Sequence, residues 1–316
     1  MGTWATLTLV TADSASVAGL ARKSLMVFHH VDSLMSNWTG ASEVARINRE
    51  AAATKITIHP EVAEVLELAV LVGKQSRSAF DVTIEPLVRL WGFLGGTPRV
   101  PSQDEIDAAL EFVGPDMFDF DAGNSTVKFS REGVKIDFGG IAKGYAVDRV
   151  AELLRGAGVE DALVDLSGNM VAIGNAATHD GWAIGIRDPF GEFPLLARIF
   201  LHDESVATSG DYEQFVGAGD KRYGHILDPR TGWSAGGLAS VTVVTESAAV
   251  ADAWATALFV LGPARARLIA KDREDLAVVL VEPRETGEII VWVEEELRDR
   301  FGLSTDLGDA FIIHFF

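Results

Sequence analysis

One run constrains this chain more than any other: Asp137-Phe138-Gly139-Gly140-Ile141-Ala142-Lys143-Gly144-Tyr145. It reads as the end of a strand, a glycine pair and the start of a helix that carries a lysine in its first turn. Backbone N–H groups at such a turn, helped by the helix dipole, can hold a phosphate. The spacing matches neither the GxxxxGKS/T phosphate loop nor the GxGxxG dinucleotide turn. An anion site and a plain tight strand-to-helix turn therefore both account for it.

The pattern on either side is mixed. Residues 3 to 10 alternate as a strand, and Asp13 or Ser14 then caps a helix in which Val17, Leu20, Leu25, Val27 and Phe28 recur at helical spacing. A polar turn follows at Met35 to Thr39. Pro60 opens a helix with Val62, Val65, Leu66, Ala69 and Val72 on one face, Gly95 to Val100 reads as a loop, and Gln103 to Phe112 as a short helix. Strands are predicted at Thr126 to Phe129, Gly133 to Phe138, Asp161 to Leu166 and near 182–187, 195–201 and 239–245, with a helix from about Ile141 to Gly156. Helices at Ser247 to Leu261 and Ala264 to Asp272, strands near 276–281 and 288–293, and an apolar tail complete the chain. This is a mixed sheet with helices and not a regular βαβ array. Without an internal repeat or a linker, residues 1–316 are expected to form one compact unit with two lobes.

A chain of 316 residues, 48% of them hydrophobic, can bury a substantial core. Its 46 acidic against 27 basic side chains give a net charge of -19, which repels phosphate backbones and anionic headgroups at long range. Nucleic-acid binding and a membrane-surface role are not expected. There is no cysteine, which excludes disulfides, thiolate metal sites and a cysteine nucleophile. No apolar run reaches the roughly 18 to 20 residues that span a bilayer, so direct membrane insertion is not expected. The first residues lack a basic stretch followed by an apolar one.

Three further clusters could carry chemistry. Asp252 and Thr256 stand at i and i+4 of a predicted helix and project from one face as hard oxygen ligands suited to Mg²⁺. A favourable charge in a first helical turn and a hydroxyl bonded back to a carbonyl explain them equally well. Thr208-Ser209-Gly210-Asp211-Tyr212 and Tyr223-Gly224-His225-Ile226-Leu227-Asp228-Pro229-Arg230-Thr231-Gly232 concentrate hydroxyls, a histidine, carboxylates and an arginine. The second of these is also a good turn sequence. Two aromatic segments, Met35-Ser36-Asn37-Trp38 and Ala79-Phe80-Asp81-Val82-Thr83 leading to Leu90-Trp91-Gly92-Phe93, offer rings to stack on a planar ligand or to fill a core.

Taken together and in order, Met1-Gly2-Thr3, MSNW followed by SEVARIN, AFDVTIEPLVRLWGF, DFGGIAKGYAVDR, SGDYEQF with YGHILDPRTG, and ADAWATALFVLG resemble the ApbE family of flavin transferases over nearly the whole chain. The fold this resemblance implies is α+β, with mixed, largely antiparallel sheets flanked by helices (ApbE-like, T-fold-like). The activity it implies is Mg²⁺-dependent FAD:protein FMN transfer, in which FAD is cleaved to AMP and its FMN half is esterified to an acceptor threonine. Met1, Trp38, Ala79, Phe80, Asp81, Asp137, Lys143, Ser240 and Val241 then look like flavin-nucleotide contacts. Asp252 and Thr256 match side-chain metal ligands, and Gly140 stands where a backbone carbonyl completes the set. Where the family has a paired glycine after the 161–166 strand, this chain has Ser167-Gly168-Asn169, and its first residues do not read as the family's usual export leader.

His225 is the expected base for the acceptor hydroxyl, because an imidazole ordinarily titrates near neutral pH. Asp228 is the second candidate, as base or as orienter of His225. The acceptor suggested by the resemblance is a subunit of a membrane redox complex, and the location an extracytoplasmic, periplasmic one, with a lipid anchor in a full-length form; a cytoplasmic location stays open. Two other readings use the same residues: a Mg²⁺-dependent FAD pyrophosphatase, with water as nucleophile, and a non-catalytic flavin-binding or delivery protein.

Overall fold

The structure is a computed structural model that describes residues 2–11, 14–177, 181–191, 194–212, 214–218, 221–283, 289–293 and 310–313. In chain order its first half holds β1 (Ala5–Leu9), α1 (Ser14–Met35), α2 (Glu43–Glu50), β2 (Ile56–Thr57), α3 (Pro60–Gln75), α4 (Glu85–Leu90), α5 (Gln103–Leu110), β3 (Phe118–Asp121) and β4 (Thr126–Phe129). There follow α6 (Ala142–Gly156), β5 (Ala162–Leu166), β6 (Asn169–Ile173), β7 (Trp182–Ile186), β8 (Ala197–Leu201) and β9 (Ser205–Gly210). The last part holds β10 (Phe215–Ala218), β11 (Lys221–Gly224), β12 (Ser240–Thr245), α7 (Ala248–Asp272), β13 (Ala277–Pro283), β14 (Ile289–Val293) and β15 (Ala310–Ile313).

The main sheet has the order β1-β5-β6-β9-β12-β13-β14-β15, and its neighbours pair antiparallel. Three small antiparallel sheets, β2-β4-β3, β7-β8 and β10-β11, surround it. The fold is therefore α+β with antiparallel sheets and flanking helices. On β13, Val278 and Leu280 face the core shared with α6 and α7, while Val279 and Val281 face a second core closed by Trp182, Ile184 and Ile199 of the β7–β8 hairpin. Cover on both faces explains why β13 opens as an unbroken apolar run, Ala277 to Val281, instead of an alternating one. A third, smaller core of Leu87, Trp91, Phe93, Ile106 and Leu227 ties α4 and α5 to the segment after β11.

The termini of the helices follow their capping chemistry. Ser102 and Glu105 form a capping box on α5. The start of α7 is capped by Ser247 and by Asp148 of α6, which accepts from Ser247 Oγ (2.8 Å), Ala248 N (2.8 Å) and Ala249 N (2.9 Å). Burial pushes the Asp148 carboxyl above its ordinary range, partly offset by those bonds. Gly262 at φ 73 breaks α7 before Pro263, so the two predicted helices meet there as a kinked pair.

Two expectations change. Gly133 to Phe138 is not a ladder strand: Ile136 N donates to Asn48 Oδ1 (2.7 Å) and Asp137 N to Val82 O (2.7 Å), so side chains and a loop carbonyl replace a neighbouring strand. The segment 43–50, for which no helix was expected, is α2; Ser42 caps it, and Val44 and Ile47 are its buried residues.

The tightest helix contact is at Gly144, on the first turn of α6. A Cβ built there would lie 2.1 Å from Ala248 O and 2.7 Å from Ala249 N of α7, so only glycine lets the helices approach so closely. Gly144→Ala is expected to lower the unfolding free energy by about 1 to 3 kcal/mol or more. Equilibrium urea unfolding measures it, and an unchanged midpoint would contradict this contact.

Candidate active site

The α6–α7 contact places Lys143 at the mouth of α6 beside Asp252 and Thr256 of α7. All three line a cleft of about 360 Å³. Its other walls come from the turn after α1 (Met35 to Trp38), the segment after α3 (Ala79 to Asp81), the run Asp137 to Gly140, the end of β9 (Thr208 to Gly210), and His225 to Leu227. Elements far apart in sequence thus converge at the ends of α6, α7 and β9.

The Asp252 carboxylate is 5% exposed. Gly144 N donates to its Oδ2 at 3.1 Å. With its amide oriented to satisfy both neighbours, Asn169 donates to Asp252 Oδ1 (3.1 Å) and accepts from Lys143 Nζ (3.1 Å); the opposite orientation would set oxygen against oxygen and N–H against ammonium. Thr256 Oγ1 lies 3.3 Å from Ser209 Oγ. A Cβ on Gly140 would sit 3.2 Å from Thr256 Oγ1 and 3.1 Å from the Phe80 ring, so the chain backbone presses against the Thr256 hydroxyl where a side chain would fill the space. A carboxylate, a hydroxyl and a main-chain segment with its carbonyls make an all-oxygen donor set, which fits a hard cation such as Mg²⁺ that keeps further positions for water and substrate oxygens. Among the described residues no group of three or more His, Cys, Asp or Glu side chains gathers as a metal cluster.

The carboxylates of the opposite wall are held as acceptors. Asp137 Oδ2 accepts from Asn37 Nδ2 (2.8 Å) and Oδ1 from Gly139 N (2.6 Å). Asn37 is itself gripped by Asn48 (3.1 Å), and both amides reach the Ile136 carbonyl at 2.9 Å. Asp81 Oδ1 accepts from Thr83 N (2.8 Å) and Thr83 Oγ1 (2.6 Å). Burial raises the Asp81 carboxyl above its ordinary range, and the two Thr83 bonds pull against that rise. Ala79 and Phe80 are buried in the same wall, whereas Trp38 at the rim is 68% exposed.

His225 faces the cleft from the residue after β11. Its Nδ1 lies 3.3 Å from Gln214 O and its ring stands edge-on to Phe93, with centroids 6.4 Å apart. A carbonyl only accepts, so Nδ1 is the donor in that hydrogen bond. Trp91, whose Nε1 donates to Gly232 O (2.9 Å), anchors the turn that follows.

Asp228, Ser240 and Val241, three of the residues expected at the site, do not line this cleft. Asp228 lies outside the cleft wall and is bound at both oxygens by Arg230 (2.8 and 2.8 Å), where it shapes the Asp228–Gly232 turn instead of orienting His225. Ser240 and Val241 are buried in β12 between β9 and β13, outside the cleft wall. Met1 lies outside the described residues. Sequence reasoning did not single out Asn37, Asn48 or Asn169 as site residues. The first two sit in the family-like segments at 35–48, whereas Asn169 drew notice only as a departure from a glycine pair.

The profile of the ApbE family matches residues 1–280 of this chain. The chain is 33% identical over 302 residues to the FAD:protein FMN transferase of Klebsiella pneumoniae, covering 94% of this chain and 91% of that one. It is 33% identical over 270 residues to the enzyme of the same name from Haemophilus influenzae, covering 83% and 78%. Among solved structures, the flavin transferase ApbE of Vibrio cholerae superposes with a TM-score of 0.86 at 28% identity, and the ApbE protein of Thermotoga maritima with 0.85 at 32%, each over 95% of this chain and 96% of the other. The chain belongs to the ApbE family.

Proposed function

We propose that this chain is a Mg²⁺-dependent FAD:protein FMN transferase that cleaves FAD to AMP and FMN and joins FMN, through a phosphoester bond, to a threonine of an acceptor protein. The observation that carries the reading is the convergence of Lys143, the Asp252–Thr256 oxygens and His225 on one cleft. It supplies a cation for phosphate, a hard-metal site and a proton acceptor, which are the parts that phosphoryl transfer needs. The names of the relatives support the flavin substrate and the protein acceptor.

In this reading the acceptor Thr Oγ attacks the flavin-side phosphorus, forming a new P–O bond as the anhydride P–O bond breaks. AMP leaves with the bridging oxygen, and the hydroxyl proton passes to His225 Nε2. Lys143 binds pyrophosphate oxygens at the N-terminus of α6, where the helix dipole adds to its charge. Asp252, Thr256 and the Gly140 main chain would hold Mg²⁺, which when bound neutralises charge on the pyrophosphate and its leaving group. Trp38, Phe80 and Ala79 offer apolar surface to the planar rings, and Asp81 and Asp137 accept hydrogen bonds from polar ring edges. An acceptor drawn from the subunits of a membrane redox complex is proposed on the family resemblance; no helix among the described residues is long and apolar enough to cross a membrane.

Asp252→Ala is expected to abolish AMP release from FAD and its metal dependence together, the same outcome expected of EDTA on the unmodified protein. Mg²⁺-stimulated turnover retained by that variant would remove Asp252 from the metal site. His225→Ala should bind FAD nearly as well but transfer FMN about 10²- to 10⁴-fold more slowly; a near-normal rate would contradict its assignment as base.

A further inference from the structure

Asn169 sits at the start of β6, paired with Leu166 across the tight β5–β6 hairpin, and is 2% exposed. Its carboxamide is shared between two groups of opposite charge: the N–H end on Asp252 and the C=O end on Lys143, both at 3.1 Å. The hairpin that delivers it is fixed by Ser167 and Gly168 in left-handed conformation (φ 54 and φ 90) and by Gly168 N donating to Asp165 Oδ1 at 2.8 Å. The amide therefore enters the site from a rigid sheet, not from either helix that carries the groups it touches.

An ammonium and a carboxylate side by side in a buried site attract each other strongly, and a direct pair would draw Lys143 off a phosphate and Asp252 off a cation. A neutral amide between them makes one hydrogen bond to each and keeps the two charges from pairing directly with one another. An apolar residue of the same shape would take one hydrogen bond from each charge.

We infer that Asn169 is a positioning residue, which spaces Lys143 from Asp252 and aims one at the pyrophosphate and the other at the metal. The inference rests on the proposed function, since it takes those two roles from it. Asn169 supports the metal-binding carboxylate as outer groups do in other metal sites, where their loss costs about 10- to 100-fold in metal affinity.

The test uses the full chain and two binding measurements that need no turnover: Mn²⁺ binding followed by electron paramagnetic resonance, and FAD binding followed by flavin fluorescence in EDTA. Asn169→Leu, with a melting temperature near that of the unmodified protein, should weaken Mn²⁺ binding by about 10- to 100-fold. It should also weaken metal-free FAD binding, and that loss should disappear when the substitution is made in a Lys143→Met background, because both changes then remove the same contact. Asn169→Ser, smaller and still polar, is read through the same cycle if the leucine variant does not fold. Unchanged Mn²⁺ and FAD binding, or FAD losses that simply add to those of Lys143→Met, would overturn the assignment. Failure of the unmodified protein to bind either Mn²⁺ or FAD would instead overturn the functional reading on which it stands.

Discussion

The rest of the site depends on a backbone contact: the first turn of α6 lies directly against the first turn of α7 at Gly144, with no side chain between. That approach does three things at once. It lets Gly144 N reach Asp252 Oδ2, it sets Lys143 beside that carboxylate, and it allows Asp148, one turn further on, to cap the N-terminus of α7. A larger residue at 144 would part the helices and separate Lys143 from Asp252 and Thr256. The paired glycines just before, at 139 and 140, extend the same principle, since a Cβ at Gly140 would crowd Thr256 and Phe80.

A protein of net charge -19 repels an anionic substrate at long range, so attraction has to be local. Under the proposed function, Lys143, the N-terminus of α6 and the Asp252 and Thr256 oxygens that would hold a cation share one cleft, where a lower dielectric strengthens their pull. Three acidic groups of the same cleft are not loose charge. Asp137 is committed to Asn37 and Gly139, Asp81 to Thr83, and Asp252 to Gly144 and Asn169. Each is thereby turned into a directional acceptor.

What was legible in the sequence was whatever depends on neighbours along the chain. The helical spacing that set Asp252 and Thr256 on one face and the glycine turn and helix start that carry Lys143 are local patterns, and both lead into the cleft. The helix break at 262 and the strands at 126–129 and 162–166 were local too. What escaped was set by partners distant in sequence. Asn169 meets Asp252 across 83 positions, Asn37 meets Asp137 across 100, and no periodicity reports such a meeting. The same reason explains why 133–138 looked like a ladder strand, since its alternation is real but its partners are Asn48 and Val82. Asp228 was attractive by adjacency to His225; the nearer Arg230 claims it.

The central claim is that the cleft moves FMN from FAD to a hydroxyl of another protein, and mass spectrometry of the acceptor tests it most directly. The purified chain is incubated with FAD and Mg²⁺, with and without a folded acceptor domain that bears an exposed threonine, and AMP release is followed alongside acceptor mass. The account predicts AMP release together with a gain of one FMN phosphoester on the acceptor, both lost in EDTA. Release of AMP and free FMN with no labelled acceptor, or FAD that binds and stays whole, would contradict it.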